Sequence, residues 1–278
     1  MDHTQLVSII QNMTGVYLTE DKIYLLDTRL RDLMKENNLQ TYNEVGSLLL
    51  SGRNESFNQR LIDQITTHET RFFRDESIFN ALVDKIVPEW LERRGIHASS
   101  PGNEILTIWS AACSTGQEPY SIALMIRDRF PMLYPNLRII ATDISQESID
   151  RAKAGYYTNF EIQRGMPAHI LTKYFSQDEK GARISDELKS KIEFKVHNLI
   201  ADQFPQKCDF VFCRNVLIYF DETTRKSILE KIRSSLKPDG ALILGSSENL
   251  IGSLPNYIVR EAGLARYYEF SSQVTFFK

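Results

Sequence analysis

Glu118 and Asp143 are the two carboxylates whose settings suggest a ligand. Glu118 follows a loop of small residues, S-A-A-C-S-T-G (Ser110 to Gly116), and Asp143 closes the apolar run L-R-I-I-A-T-D (Leu137 to Asp143). A dinucleotide site wants G-x-G-x-x-G, because the main chain must approach a pyrophosphate closely at a helix N-terminus. Gly116 stands alone there, and Glu118 puts negative charge where the phosphate would bind. A carboxylate in that place repels phosphate and suits a cationic or hydroxyl-bearing ligand. Asp143, at a strand end, is placed to accept hydrogen bonds from two ribose hydroxyls. A nucleoside that lacks phosphates and carries positive charge fits both, and S-adenosylmethionine is such a molecule. An ordinary structural βαβ unit would carry the same residues.

Other polar residues fall at comparable points. Asn198 follows the apolar run Ile192 to Val196, and Arg214-Asn215 follows Cys208 to Cys213. Taken singly, Asn198 reads as a turn residue and His197 as a satisfied histidine; the coincidence of polar strand ends favours a shared crevice. The segment H-E-T-R-F-F-R-D (His68 to Asp75) sets two aromatics among arginines. It reads either as a lid, with a ring facing a sulfonium and an arginine offered to a carboxylate, or as a hydrophobic staple between domains. None of the five histidines has metal-ligand spacing with another, and a G-x-S-x-G elbow and a P-loop are both absent.

The elements that must position these residues alternate in the α/β manner. Ile105 to Trp109 predicts a strand, a helix follows with Pro119 in its first turn and a stripe of Ile122, Ala123, Ile126 and Phe130, and Leu137 to Ala141 predicts the next strand. In a parallel sheet the loop after the first strand and the end of the second lie side by side at the ligand crevice. Ser145 caps a short helix ending at Gly155. Residues 156 to about 190 break the rhythm and predict an inserted hairpin subdomain, with strands at Lys173 to Phe175 and Ala182 to Ile184. Strands then fall at Ile192 to Val196, Cys208 to Cys213, Ala241 to Gly245 and Ala265 to Phe270. An Asp221-capped helix precedes a turn at Pro238-Asp239-Gly240. The first 68 or so residues are helical by pattern. Thr19 reads as an N-cap before Ile23, Leu26, Leu30, Leu33 and Met34, and further helices fit Thr41 to Leu50 and Ser56 to Thr67. Asp75 reads as the N-cap of a helix bearing Phe79, Leu82, Val83, Ile86 and Trp90, and Arg94 to Asn103 as a linker.

The bulk properties exclude several classes. With 278 residues, 42% hydrophobic and 25% charged, the chain has ample core. A net charge of −3 does not recommend nucleic acid as a partner. No apolar run approaches membrane-spanning length, and M-D-H-T-Q-L-V-S-I-I-Q-N-M lacks a signal-peptide core. The expectation is a cytoplasmic protein without membrane insertion. Cys113, Cys208 and Cys213 show no C-x-x-C spacing and read as reduced, buried small hydrophobes.

These motifs also resemble a known family. T-T-H-E-T-R-F-F-R-D (Thr66 to Asp75), W-S-A-A-C-S-T-G-Q-E-P-Y-S (Trp109 to Ser121), A-T-D-I (Ala141 to Ile144), C-R-N-V-L-I-Y-F-D (Cys213 to Asp221), L-K-P-D-G (Leu236 to Gly240) and S-S-E-N (Ser246 to Asn249) are similar to those of the bacterial chemoreceptor glutamate methyltransferases, the CheR family. The resemblance spans nearly the whole chain. It implies a class I, Rossmann-like methyltransferase fold with a mostly parallel seven-stranded sheet over residues 76–278, interrupted by the insertion, and a small all-helical domain over 1–75. It implies transfer of a methyl group from S-adenosylmethionine to glutamates on the cytoplasmic helices of chemoreceptors, with S-adenosylhomocysteine as product. His68, Thr70, Arg74, Glu118, Asp143, Asn198, Leu199, Arg214 and Asn215 would contact the cofactor, with Arg74 and Tyr219 nearest the chemistry. His68 stands where some members carry asparagine. The segment Ser176 to Ile184 is shorter than in members that dock on a receptor's C-terminal pentapeptide, which argues against such a tether. The second helix is less basic than in members thought to recognise acidic receptor helices. A small-molecule carboxyl methyltransferase and a non-catalytic module sensing the cofactor or its product are the alternative readings.

Overall fold

The computed structural model describes residues 3–17, 24–52, 54–250 and 254–270. Four helices come first: α1 (His3–Thr14), α2 (Tyr24–Glu36), α3 (Tyr42–Ser51) and α4 (Glu55–Ile65). They close around a core of their own that includes Leu6, Ile10, Leu30, Val45, Phe57 and Leu61. Thr41 and Glu44 form a capping box on α3, and the Asn54 side chain accepts from Phe57 N on α4. The Thr19 cap lies outside the described residues.

A longer helical stretch leads into the second part: α5 (Glu76–Ala81), a π-helical turn at Leu82–Ile86, and α6 (Val87–Arg93). There follow β1 (Leu106–Ala111), α7 (Gln117–Arg129), β2 (Leu137–Asp143), α8 (Gln146–Ala154), β3 (Tyr156–Thr158), α9 (Asn159–Gln163), α10 (Ala168–Tyr174), β4 (Phe175–Gln177), β5 (Gly181–Ile184), α11 (Asp186–Lys189), β6 (Ile192–Val196), β7 (Cys208–Cys213), α12 (Glu222–Ser235), β8 (Leu236–Leu244), β9 (Tyr257–Ala262) and β10 (Ala265–Phe270). The main sheet runs β6-β2-β1-β7-β8-β10-β9, and β10 pairs antiparallel with both its neighbours, whereas the other pairings are parallel. The chain works outward from β1 through β2 to β6 and then returns to place β7 on the other side of β1. That switch point opens a crevice at the carboxyl ends of the strands.

Central parallel strands bury both faces, so their sequences read as continuous apolar runs. In β7, Phe210 and Phe212 join the core on one side of the sheet, and Cys208, Val211 and Cys213 the core on the other. The three cysteines are free and buried. At the opposite end of the sheet from the crevice, buried Asp209 accepts from Trp90 Nε1 (3.0 Å), Arg94 Nη2 (2.7 Å), Lys237 Nζ (2.9 Å) and Thr107 N (2.8 Å). The stretch expected as a plain linker therefore begins with a residue that ties α6 to the sheet.

Other details depart from the sequence reading. Asp75 does not cap α5: its φ is 59° and its side chain makes no capping bond. Lys173 and Tyr174 end a helix, and the strand there starts at Phe175; β5 pairs with β4 on one side and with β3, absent from the sequence reading, on the other. Pro238-Asp239-Gly240 is not a free turn but lies within β8. It takes up a register shift in which Cys208 faces Leu236 and Phe210 faces Ala241. The seventh strand of the main sheet, β9, carried no sequence expectation.

Candidate active site

The loop after β1 is wound tightly. Ala112, Ser114 and Gly116 all have positive φ (58°, 48° and 94°). The winding turns Ser114 N toward Asp143 Oδ2 (2.8 Å) and Cys113 N toward Thr142 O (2.9 Å), while Ser145 N reaches Asp143 Oδ1 (3.0 Å). One carboxylate thus pins the ends of two neighbouring strands. Burial pushes the Asp143 carboxyl above the usual aspartate range, and the two amides partly offset the effect. Each oxygen accepts one amide and so keeps further acceptor capacity. Gly116 serves packing rather than anion binding. A Cβ there would stand 2.8 Å from Ala152 Cβ and 3.1 Å from the Tyr157 hydroxyl.

On the other side of the crevice lies Arg214, just after β7, with a side chain 2% exposed. Its Nη1 donates to Glu118 Oε2 (2.9 Å), and its Nη2 to Asp75 Oδ2 (2.7 Å) and Arg74 O (2.7 Å). Glu118 also accepts from Ser110 Oγ (2.7 Å). The left-handed backbone at Asp75 is what aims its carboxylate at Arg214 instead of at its own helix. Two carboxylates against one guanidinium leave a net negative cluster. Buried Arg214 Nε has no partner among the described residues.

The segment before α5 performs two jobs. Phe72 is buried edge-on against Tyr157 and Phe175 (centroids at 4.8 and 6.0 Å), and Phe73 packs on Phe79 (5.5 Å) while its N–H donates to Ser121 Oγ (3.0 Å). Neither ring lines the cavity, so neither faces a sulfonium, and both pack into the core on one side of the main sheet rather than against the core of the four N-terminal helices. Thr70 and Arg74 do line it. Arg74 donates to Glu69 O (3.0 Å) and has no carboxylate in ion-pair range among the described residues. The His68 ring is held by Asp63 O (2.9 Å) and Thr66 Oγ1 (3.1 Å) at Nε2 and by Ser148 Oγ (2.9 Å) at Nδ1. The carbonyl at Nε2 assigns the proton there and leaves Nδ1 to accept from Ser148. His68 therefore joins the helical domain to α8, with neither ring nitrogen free for a ligand.

Helices α1 and α2 supply the cover. Asn198 Nδ2 donates to Met13 O (2.7 Å), Tyr17 N to Tyr219 O (2.8 Å), and Arg29 Nη1 to Ile65 O. The cavity measures about 290 Å³. His68, Thr70, Arg74, Glu118, Asp143, Asn198, Leu199, Arg214, Asn215 and Tyr219 all lie on its wall. So do Thr14, Val16, Tyr17 and Arg29. Thr14 and Arg29 sit on α1 and α2, and Val16 and Tyr17 just after α1, far away in sequence, and nothing local places them at the cavity. Glu248 was also missed as a functional residue, although S-S-E-N stood out as a motif.

The wall fits S-adenosylmethionine. Asp143 has acceptor capacity for ribose hydroxyls, and the acidic surplus around Arg214 suits a cation. With Glu118 in the first turn of α7, the helix N-terminus is unsuited to phosphate. Fold and site together define an S-adenosylmethionine-dependent methyltransferase. Residues 1–66 match the all-alpha domain of CheR methyltransferases, and residues 68–262 their SAM-binding domain. The chain is 36% identical over 264 residues to the chemotaxis protein methyltransferase Cher2 of Pseudomonas putida, covering 92% of this chain and 93% of that protein. It is also 36% identical over 256 residues to the chemotaxis protein methyltransferase of Borreliella burgdorferi, covering 90% and 88%. The chain belongs to the CheR methyltransferase family.

Proposed function

We propose that this chain esterifies ionised glutamate side chains on the cytoplasmic helices of chemoreceptors, with Arg74 and Tyr219 handling the acceptor. One observation carries the reading. The acidic side chains of the cavity wall and the His68 imidazole are engaged by other protein groups: Glu69 by Arg164, Glu118 by Arg214 and Ser110, Asp143 by two amides, and His68 by three partners, while His197 binds Gln203 O through Nε2 and keeps a buried Nδ1 without a partner among the described residues. The Arg74 guanidinium makes one bond, to Glu69 O, and the Tyr219 hydroxyl none among the described residues. The wall therefore offers groups that orient an anion, and its carboxylates and the His68 imidazole are already engaged among the described residues.

A glutamate side chain suits such a wall because it is ionised near neutral pH, with an ordinary pKa of about 4.3. Bound S-adenosylmethionine supplies the methyl group and keeps the electron pair of the broken carbon–sulfur bond, so no proton moves. Arg74 draws the carboxylate in, and the Tyr219 hydroxyl donates to one of its oxygens, leaving the other directed at the methyl carbon. Anion and cation neutralise one another along this path, so water, which favours the separated charges, has to be kept out. The cover formed by Tyr17 and the end of α1 does this. Good alignment supplies the remainder, worth up to roughly 7–11 kcal/mol in well-oriented intramolecular reactions. The insertion's hairpin is closed by Asp178–Lys180, with the Asp178 carboxylate accepting from Lys180 N and Gly181 N. So short a loop supports receptor docking without a pentapeptide tether.

The test uses receptor-bearing membranes and S-adenosylmethionine labelled in its methyl group. The expected product is a label that mild alkali releases as methanol, as an ester requires. Alkali-stable label, or cofactor binding without transfer, would overturn the reading. Arg74→Ala should lower turnover at saturating cofactor while leaving cofactor affinity within a few-fold of the parent.

A further inference from the structure

The segment from the end of β7 through the 3-10 turn at Leu217–Tyr219 carries four cavity residues, Arg214, Asn215, Val216 and Tyr219, yet its first part is irregular main chain. Asn215 is left-handed (φ 57°), and Val216 returns to φ −125°, ψ −32°. This alternation turns successive N–H groups to one side, forming a concavity that binds anions. The anion in it belongs to the protein. Glu248 Oε2 accepts from Asn215 N (2.7 Å) and Gly245 N (2.9 Å), and Oε1 from Val216 N (3.1 Å) and Leu217 N (2.9 Å). Four main-chain donors thus converge on one carboxylate. Gly245 makes room for it: a Cβ there would lie 2.7 Å from Glu248 Oε2 and 2.7 Å from Asn215 Nδ2.

We infer that Glu248 is a positioning residue for methyl transfer: its carboxylate holds the Arg214–Tyr219 loop in its working shape without itself touching the reactants. The inference rests on the receptor reading for its turnover assay, and cofactor binding tests it separately. The loop is anchored unequally. Arg214 has Glu118, Asp75 and Arg74 O as further anchors, whereas Tyr219 donates its N–H to Val216 O inside the loop and accepts from Tyr17 N outside it. Loss of the carboxylate should therefore disturb Tyr219 more than Arg214.

The experiment compares the full chain with Glu248→Gln, which keeps the volume but replaces one acceptor by a donor, and with Glu248→Ala. Calorimetric titration with S-adenosylhomocysteine and methyl transfer to receptor membranes are both measured. Glu248→Ala should weaken binding about 10-fold and turnover about 100-fold, as expected when charge-assisted bonds are lost from a loop that orients the acceptor. Glu248→Gln should lose less of both. Acetate matches the part of the side chain that Glu248→Ala removes. Added acetate should fill the empty concavity and restore both quantities severalfold, where chloride at equal ionic strength does not. A variant that was merely less stable would gain nothing from acetate. Binding within two-fold of the parent in both variants, or a binding loss that acetate leaves untouched, would overturn the inference. A parent enzyme that binds cofactor but leaves receptors unlabelled would overturn the receptor reading instead, and the binding and acetate results would still decide the role of Glu248.

Discussion

Replacing Arg214 by methionine tests how the site is held together. The substitution keeps much of the side-chain volume and removes the guanidinium from between Glu118 and Asp75, whose side chains are only 12% and 23% exposed. At about 4 Å between charge centres and an effective dielectric constant of about 20, each pair is worth about 4 kcal/mol before desolvation is subtracted. Breaking a buried pair by deleting one partner typically costs about 3–5 kcal/mol, because the other charge is stranded. Here two carboxylates are stranded, so Arg214→Met should fall in the upper part of that range. At about 2–4 °C per kcal/mol for chains of comparable size, the expected drop in Tm is roughly 8–20 °C. The assay is reversible denaturation followed by circular dichroism, without cofactor. The discriminating partner is the triple variant Arg214→Met, Asp75→Asn, Glu118→Gln, in which no charge is left behind. It should regain at least half of the lost stability. A triple variant as unstable as the single one would refute the electrostatic argument and leave packing as the cause.

Two further outcomes follow from the same geometry. Because burial raises the Asp143 carboxyl, S-adenosylhomocysteine affinity should fall as pH is lowered, starting above the ordinary aspartate range near about 4. The ionised form is the one that accepts hydroxyls at both oxygens. Titrations from pH 7.5 down to 4.5 check this, and Asp143→Asn should flatten the profile. For the unliganded fold the sign is opposite: the folded state binds this proton more tightly than the unfolded chain, so its contribution to stability is lost as pH rises from the unfolded toward the raised value. Gly116→Ala, which forces a Cβ against Ala152 at φ 94°, should cost about 1–3 kcal/mol in a denaturant melt; an unchanged midpoint would contradict the packing role given to Gly116.

What the sequence made legible was whatever is encoded locally. Ile105 to Asp143 announced its strands by apolar runs and its loop by small residues, and Ser145 and Asp221 cap the helices that follow them. Asp75 shows where local encoding stops. An aspartate before an apolar helical stripe is a good N-cap, but Arg214, 139 positions away, claims its carboxylate. Glu248 was invisible as a functional residue because its partners are main-chain N–H groups, which every sequence carries. Strand β9 was missed because Ile258, Val259, Arg260 and Glu261 are exposed at the sheet edge and lack the alternation of a half-buried strand. The cover formed by Tyr17 and Arg29 depends on how a separate helical unit docks, which spacing within either part does not reveal. The aromatic pair Phe72-Phe73 admitted a ring facing the ligand, and only tertiary packing shows both rings turned into the core instead.

The proposed seat of the cofactor is the cavity between the carboxyl ends of β1, β2, β6 and β7. Calorimetric titration of the chain and of Asp143→Ala with S-adenosylmethionine and S-adenosylhomocysteine tests this most directly. Saturable one-to-one binding of both compounds, abolished in a variant that still melts cooperatively, is the predicted result. Undiminished binding in folded Asp143→Ala would place the cofactor elsewhere and contradict the account.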